Sequence, residues 1–181
     1  MVINEKALLS RMKDAYSSGG YTVAVRGHLH MIRTHTWAVE IESKNLPSDV
    51  IGLLAAHLRF LPESGTAYKI TKTKGGPQAQ SMIFEEAVKP VENLEAVPIA
   101  VGMKKTGLTL DGRNVWQRNI GLGVELLAPE LEALLKKTEN VNMAEGAFRC
   151  IGEISRVYLM RVESDPEDVK IRCLSGIRWT A

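Results

Sequence analysis

Two histidines two positions apart are the residues of this sequence best suited to chemistry. His28 and His30 lie in a run in which apolar and polar residues alternate, the pattern of a half-buried strand. Residues two apart on a strand share a face, so both imidazoles could reach one metal ion. Glu40, on the next alternating run, would add a carboxylate, and this ligand set suits zinc or iron. His28, His30 and Glu40 are therefore a candidate divalent-metal site, while the simpler interpretation, which the sequence favours, is an exposed polar sheet face.

A second candidate site consists of basic residues near a glycine pair. Three lysines precede Gly75-Gly76. The backbone N–H groups of a glycine-rich turn can hold a phosphate, and lysines can neutralise its charge. The simpler interpretation is an edge strand whose lysines prevent aggregation. With Tyr68 available for stacking, the same surface, extended by His28 and His30, would suit single-stranded nucleic acid. The predicted anion-binding set is Arg26, Lys69, Lys72 and Lys74.

Known catalytic and nucleotide-binding spacings are absent from the sequence. It contains no GxxxxGK[ST], GxSxG or HExxH pattern, and Gly121-Leu122-Gly123 lacks the third glycine of a dinucleotide-binding loop. No catalytic residue is therefore assigned, and whether the protein is an enzyme stays open. The leading hypothesis is a small cytoplasmic binding or assembly protein that acts through a sheet face or edge. The alternatives are a metal-dependent enzyme using the His-x-His site and a single-stranded nucleic-acid binder.

Composition supports a globular protein with a protein partner. The chain has 181 residues, 23 Lys and Arg against 21 Asp and Glu, and 45% hydrophobic residues. These values argue against disorder, and no apolar run reaches the length of a membrane span. Because aromatic residues make up 6% of the chain and the net charge is +2, nucleic acid ranks below protein as a partner. Cys150 and Cys173 lack metal or redox spacing and are interpreted as reduced residues of a cytoplasmic protein.

The first half of the sequence has clear helix and strand patterns. Asn4 is a suitable N-cap for a helix over 4–17, and a second helix is expected over 47–61. The alternating residues between 21 and 43 predict a two-stranded hairpin. A loop of three residues, Ile32-Arg33-Thr34, or a longer odd number keeps apolar side chains together and places Arg26 opposite Glu40. A strand pair, 66–74 and 81–86, follows.

The second half has weaker patterns. Residues 143–158 fit either a helix or strands, and two glycines together with a β-favouring run favour strands. Both halves show a strand, a proline-started helix and a glycine before another strand, so a duplicated ββαββ unit over about 1–86 and 97–181 is one interpretation. The other predicted strands cover 107–110, 120–127, 147–155, 157–163 and 169–179, and a helix covers 129–137.

Together these patterns predict one compact α+β domain over 1–181. Its sheet is expected to be largely antiparallel and covered by two or three helices. No cofactor is expected apart from the candidate divalent metal. Near-neutral charge and exposed strand edges make a homodimer the expected assembly. The predicted core contains Trp37, Val39, Ile41, Leu53, Leu54 and Leu58.

Overall fold

The computed structural model describes residues 1–96, 101–120, 123–137, 141–144 and 147–160. These ranges contain helices and strands in an α+β arrangement, as the sequence predicts. In chain order the elements are α1 (Glu5–Ser18), β1 (Tyr21–Arg26), β2 (Leu29–Arg33), β3 (Trp37–Glu42), α2 (Ser48–Leu58), β4 (Ala67–Thr73), β5 (Gly76–Ser81), α3 (Phe84–Ala96), β6 (Val101–Leu110), β7 (Arg113–Arg118), β8 (Val124–Leu127), α4 (Pro129–Glu132), β9 (Val141–Ala144), β10 (Ala147–Ile151) and β11 (Ser155–Met160).

The strands form one sheet in the order β5-β4-β1-β2-β3-β11-β10-β9-β6-β7-β8. Every strand pair in it is antiparallel. The expectation of a largely antiparallel sheet is therefore confirmed. Antiparallel strands can be joined by tight turns, which is how most of the sequential neighbours connect.

Each face of the sheet has its own apolar cluster. The α1–α2 face carries Val23, Ile32 and Val39, which pack with residues of both helices such as Leu8 and Leu54. The α3 face carries Ala24, Met31, Ala38 and Tyr158, against which α3 packs Ala87, Val88 and Val91. Five of the six predicted core residues are buried, and Leu53 is partly buried against the first cluster.

The two predicted helices of the first half are present with small shifts in their ends. The Asn4 side chain accepts a hydrogen bond from the Ala7 backbone N–H, which confirms the predicted N-cap of α1. Pro47 is the N-cap of α2 rather than its first residue, and α2 ends at Leu58 because Arg59 adopts a left-handed conformation at φ 67°. A left-handed residue directly after a helix lets the backbone leave the helical path.

The predicted hairpin over 21–43 is wrong, because this segment forms three strands. Arg26 pairs with Leu29 around a two-residue turn at Gly27-His28, and Gly27 has a φ of +60°. Glycine adopts this conformation without strain, so the turn is tight enough to leave the alternating pattern apparently unbroken. Across a two-residue turn, the positions that share one face of the sheet change from even-numbered residues in β1 to odd-numbered residues in β2. His30 therefore pairs with Val25 and Ile41, whereas Glu40 pairs with Met31.

Three other predicted elements need correction. Residues 81–86 were expected as a strand, but β5 ends at Ser81 and α3 begins at Phe84, because the helical stripe Ala87, Val88 and Val91 buries against the sheet. Among the described residues of the strand expected over 120–127, only β8 forms. The strand β7 was not predicted. The helix expected over 129–137 ends at Glu132. The strand expected over 169–179 lies outside the described residues.

The described residues between 143 and 158 lie in strands β9, β10 and β11 and in the connection between the last two, so the favoured strand interpretation is confirmed. The predicted internal repeat also has a structural counterpart, with one strand more than expected. A βββαββ series runs from β1 to β5 and again from β6 to β10. The sheet orders β5-β4-β1-β2-β3 and β10-β9-β6-β7-β8 match strand for strand, and β11 lies between the two series.

Candidate functional site

The structure does not assemble the predicted metal ligands. His28 is exposed in the turn between β1 and β2, so it does not share a strand with His30. His30 faces the α1–α2 side with Ile41, and its Nδ1 lies 3.1 Å from Ser43 Oγ. Glu40 faces the opposite side with Met31, since directly paired residues point the same way. Within the described ranges, no group of three or more His, Cys, Asp and Glu side chains is placed to hold a metal ion.

Glu40 is instead the buried centre of an ionic cluster on the α3 face. Its side chain is 2% exposed and accepts hydrogen bonds from two arginines, Arg26 on β1 at 3.0 Å and Arg156 on β11 at 3.3 Å. Both arginines also contact Glu95 on α3, and Arg26 reaches Glu92 at 3.1 Å. We call Arg26, Glu40, Glu92, Glu95, Arg156 and Tyr158 the α3-face charge cluster.

The two central carboxyl groups of this cluster have pKa values shifted in opposite directions. Burial, followed by the charge of Glu95, raises the pKa of Glu40 above its ordinary value. Burial alone would also raise the pKa of Glu95, but hydrogen bonding and charge from Arg26 outweigh it and hold that pKa below its ordinary value. Glu40 is therefore the carboxyl group of this pair that binds a proton first as the pH falls. The phenol of Tyr158 lies 3.2 Å from Glu95 Oε1, and burial followed by the charge of Glu40 raises its pKa.

The cluster fixes α3 to the sheet. It connects three strands that are not consecutive in sequence with the last turns of α3, where Glu92 and Glu95 lie. Arg149 adds to this attachment by donating to the Leu94 carbonyl at 2.9 Å. Ion pairs that are mutually hydrogen-bonded in this way position elements specifically, and most of these groups face one another rather than an open cleft. We therefore assign the cluster a structural role.

The predicted anion-binding residues do not form one surface. Arg26 is engaged by three carboxylates in the charge cluster. Lys69 pairs with Thr22 and faces the α3 side, whereas Lys72, three residues later, faces the opposite side. Lys74 is exposed in the turn before β5. Tyr68, proposed for base stacking, packs its ring edge-on against Phe60 with centroids 5.2 Å apart. The predicted anion and nucleic-acid surface is thus divided between two faces and a turn.

The ends of the sheet are the remaining candidate surface. β5 pairs with β4, β8 pairs with β7, and neither has a second neighbour among the described strands. An unpaired edge presents backbone N–H and C=O groups to any added strand. A strongly exposed isoleucine lies close in sequence to each edge strand: Ile83, 60% exposed, follows β5, and Ile120, 77% exposed, precedes β8. These are the two most exposed large hydrophobic side chains in the part of the chain that is described.

Sequence reasoning predicted the Arg26–Glu40 pair but missed its other partners. The two residues do meet, although diagonally across β2 rather than directly opposite as predicted. Arg156 and Tyr158 share a strand face by their spacing, and Glu92 and Glu95 share a helix face. Those spacings were available signals, but nothing in the sequence indicates that β11 inserts next to β3.

Comparisons with known proteins identify no family. No family model matches the sequence, and no curated protein matches it. A putative DNA polymerase III beta subunit from Eubacterium rectale ATCC 33656 aligns with 97% of this chain and 67% of its own, at 7% identity and a TM-score of 0.39. The DNA polymerase III beta chain from Streptococcus pneumoniae TIGR4 aligns with 91% and 66%, at 10% identity and 0.35. The chain thus spans about two thirds of each, and TM-scores this low carry no functional conclusion.

Two further sequence predictions concern membrane spans and the cysteines. No helix among the described residues is both long and apolar enough to cross a membrane. Cys150 is buried and unbridged, and burial raises the pKa of its thiol, whereas Cys173 lies outside the described residues.

Proposed function

We propose that this chain is an assembly protein whose copies join through the ends of the sheet, β8 of one copy against β5 of the next. The observation that carries the proposal is the pair of unlike edges that no other described strand covers, each close in sequence to an isoleucine that is more than half exposed. Addition of a strand to an open edge satisfies backbone hydrogen bonds, and an adjacent apolar side chain adds buried area. The occupant is a second copy of this chain.

The join between the two βββαββ series supports this arrangement. Within the chain, β11 bonds β3 of the first series on one side and β10 of the second series on the other. Unlike edges are therefore brought together in one continuous sheet. Because β8 corresponds to β3 and β5 corresponds to β10, the β8 and β5 edges are the counterparts of the two edges that β11 joins within the chain. Such a head-to-tail contact closes into a ring or extends into a filament.

The chemistry of β5 limits it to a specific partner. Gly76 pairs with Thr73 around a two-residue turn, so the backbone of Pro77, Ala79 and Ser81 points away from β4. Pro77 has no N–H to donate, which discourages indiscriminate strand addition. The N–H groups of Ala79 and Ser81 remain for a matching strand, next to the exposed side chain of Ile83.

Multi-angle light scattering on separated protein tests the proposal. We expect wild-type protein to exceed the monomer mass as its concentration rises. Ile83→Lys and Ile120→Lys should each reduce this association, because a lysine ammonium must be desolvated at the contact. Leu108→Lys is the matched control, since Leu108 is 45% exposed but lies on β6, inside the sheet order.

Mixing the two edge variants distinguishes unlike from like edges. Ile83→Lys retains an intact β8 edge and Ile120→Lys retains an intact β5 edge, so an equal mixture should form a heterodimer and nothing larger. Pairing of like edges would leave one single variant dimeric and give no rescue on mixing. A monomeric wild type at every soluble concentration would contradict the proposal altogether.

A further inference from the structure

A small cavity at the end of α1 gathers three basic side chains. It has a volume of about 270 Å³ and lies on the α3 face, beside Met82. Arg33 at the end of β2, His35 in the β2–β3 connection and Lys69 on β4 line it. No aspartate or glutamate is among its lining residues. The concentration of basic groups without a carboxylate is unlike the α3-face charge cluster, where every arginine has acidic partners.

In the part of the chain that the structure describes, these basic groups have no acidic partner. Arg33 lines the cavity and donates its Nε–H to the Ala87 carbonyl at 2.8 Å. Within the described ranges, none of Arg33, His35 and Lys69 forms an ion pair. Burial lowers the pKa of Arg33, the direction expected for a guanidinium without an anion nearby. An anion in this cavity would therefore gain charge-assisted hydrogen bonds.

A second cavity continues the first and is more apolar. Its volume is about 370 Å³, and it shares Gly19, Gly20, Thr34 and His35 with the basic cavity. Its far wall includes Trp37 and Leu131. Arg11 and Asp14 also line it, but they pair with each other at 2.6 Å.

Gly20 lies where the two cavities adjoin, since it lines both of them. It has a φ of +93°, and a Cβ placed on it would lie 2.2 Å from the Ile70 carbonyl oxygen. Only glycine fits this position, because the backbone of β4 occupies the place that a side chain would take.

We propose that the adjoining cavities bind a small organic phosphate monoester. The phosphate lies among Lys69, Arg33 and His35, and the organic part passes Gly20 toward Trp37 and Leu131. Arginine and lysine are the usual phosphate partners, and the combined space matches a small-molecule site in volume and in its mixture of apolar walls with a few polar groups. This site does not depend on assembly through the sheet edges.

Titration of the full chain with phenyl phosphate, followed by backbone amide NMR shifts, tests the site. We expect saturable shifts at Gly19, Gly20 and Thr34. Inorganic phosphate should bind more weakly, because it leaves the apolar cavity empty, and phenol should bind more weakly still. Lys69→Gln should weaken phenyl phosphate binding by about tenfold. Lys72→Gln is the matched control on the other face of the same strand and should change binding by less than about twofold.

Three results would overturn the proposal: no saturable shift with phenyl phosphate, equal weakening by Lys69→Gln and Lys72→Gln, or shifts confined to residues away from the two cavities. Equal affinity for inorganic phosphate and phenyl phosphate would overturn the assignment of the organic part. Ile120→Lys protein should retain binding, so failure of this site and failure of edge-to-edge assembly are separately observable.

Discussion

The guanidinium of Arg26 on β1 reaches across β2 to the carboxyl group of Glu40 on β3, with 3.0 Å between Nη2 and Oε1. This diagonal contact places a basic group from the first strand beside an acid that is almost completely buried. Arg156 approaches the same acid from the neighbouring strand β11. The sheet order, rather than proximity in sequence, therefore creates the buried ionic contact.

Glu40→Gln should change the free energy of unfolding by less than about 1 kcal/mol, because burial raises the pKa of Glu40 and an amide of the same shape carries no charge to bury. Arg156→Met should destabilise the protein by about 2–4 kcal/mol, since it leaves Glu40 and Glu95 with one arginine fewer. Urea denaturation at neutral pH measures both. Glu92→Gln is the control, because Glu92 is 46% exposed. A large loss for Glu40→Gln with none for Arg156→Met would contradict the raised pKa of Glu40.

The pH dependence of stability should differ between wild-type protein and Glu40→Gln. The pKa of Glu40 is raised on folding, so its stabilising protonation is complete below the ordinary glutamate pKa and is lost as pH rises through the higher folded value. Glu40→Gln lacks this loss and should gain stability relative to wild type as pH increases from about 4 to about 8. Urea denaturation across that range measures the difference. A constant difference across the range would contradict the raised pKa.

Glu95 should contribute in the opposite direction. Its folded pKa is lowered, so its stabilisation is present above the ordinary glutamate pKa and disappears as pH falls through the lower folded value. Glu95→Gln should therefore be most destabilising at neutral pH and approach wild-type stability in acid. The same denaturation series provides the measurement. Greater destabilisation in acid than at neutral pH would argue against ionised Glu95 as the partner of Arg26.

Gly20→Ala should destabilise the protein by about 2–4 kcal/mol, because the added methyl collides with the Ile70 carbonyl at a positive φ. Gly27→Asn is the matched control. Gly27 also has a positive φ, but a Cβ there meets nothing within 4 Å, and asparagine tolerates this conformation. Thermal unfolding compares the two variants. Equal losses of stability in the two variants would show that the positive φ, and not the collision with β4, is the reason that Gly20 must be glycine.

Glu132→Leu should destabilise the protein by about 1–3 kcal/mol. Glu132 on α4 accepts hydrogen bonds from the buried Trp116 indole at 3.0 Å and from Asn114 at 2.9 Å, and it also pairs with Lys105. Its removal leaves the indole N–H without this partner. Glu130→Leu, in the same helical turn but exposed, is the control. Similar denaturation midpoints for the two variants would show that the contacts of Glu132 add little.

Local sequence patterns are sufficient to specify the helices and strands whose signals lie within a few neighbouring residues. Asn4 and the apolar stripe of Leu8 and Met12 specify α1, because capping and helical spacing act within a few residues. Period-two alternation likewise specified strands on both sides of Gly27. It could not reveal the turn there, since a tight two-residue turn interrupts no apolar run, and the prediction therefore placed His28 on a strand.

Contacts between residues far apart in sequence depend on the tertiary structure. Glu40 and Arg156 are 116 positions apart, and their contact exists because β11 inserts between β3 and β10. The pairing of β1 with both β2 and β4 likewise gathers Arg33, His35 and Lys69 around one cavity. The alternation of side chains along a strand is a local property of the backbone. The order of strands in a sheet depends instead on burying together apolar faces from distant parts of the chain. Fold class was therefore predictable from this sequence, and the sites were not.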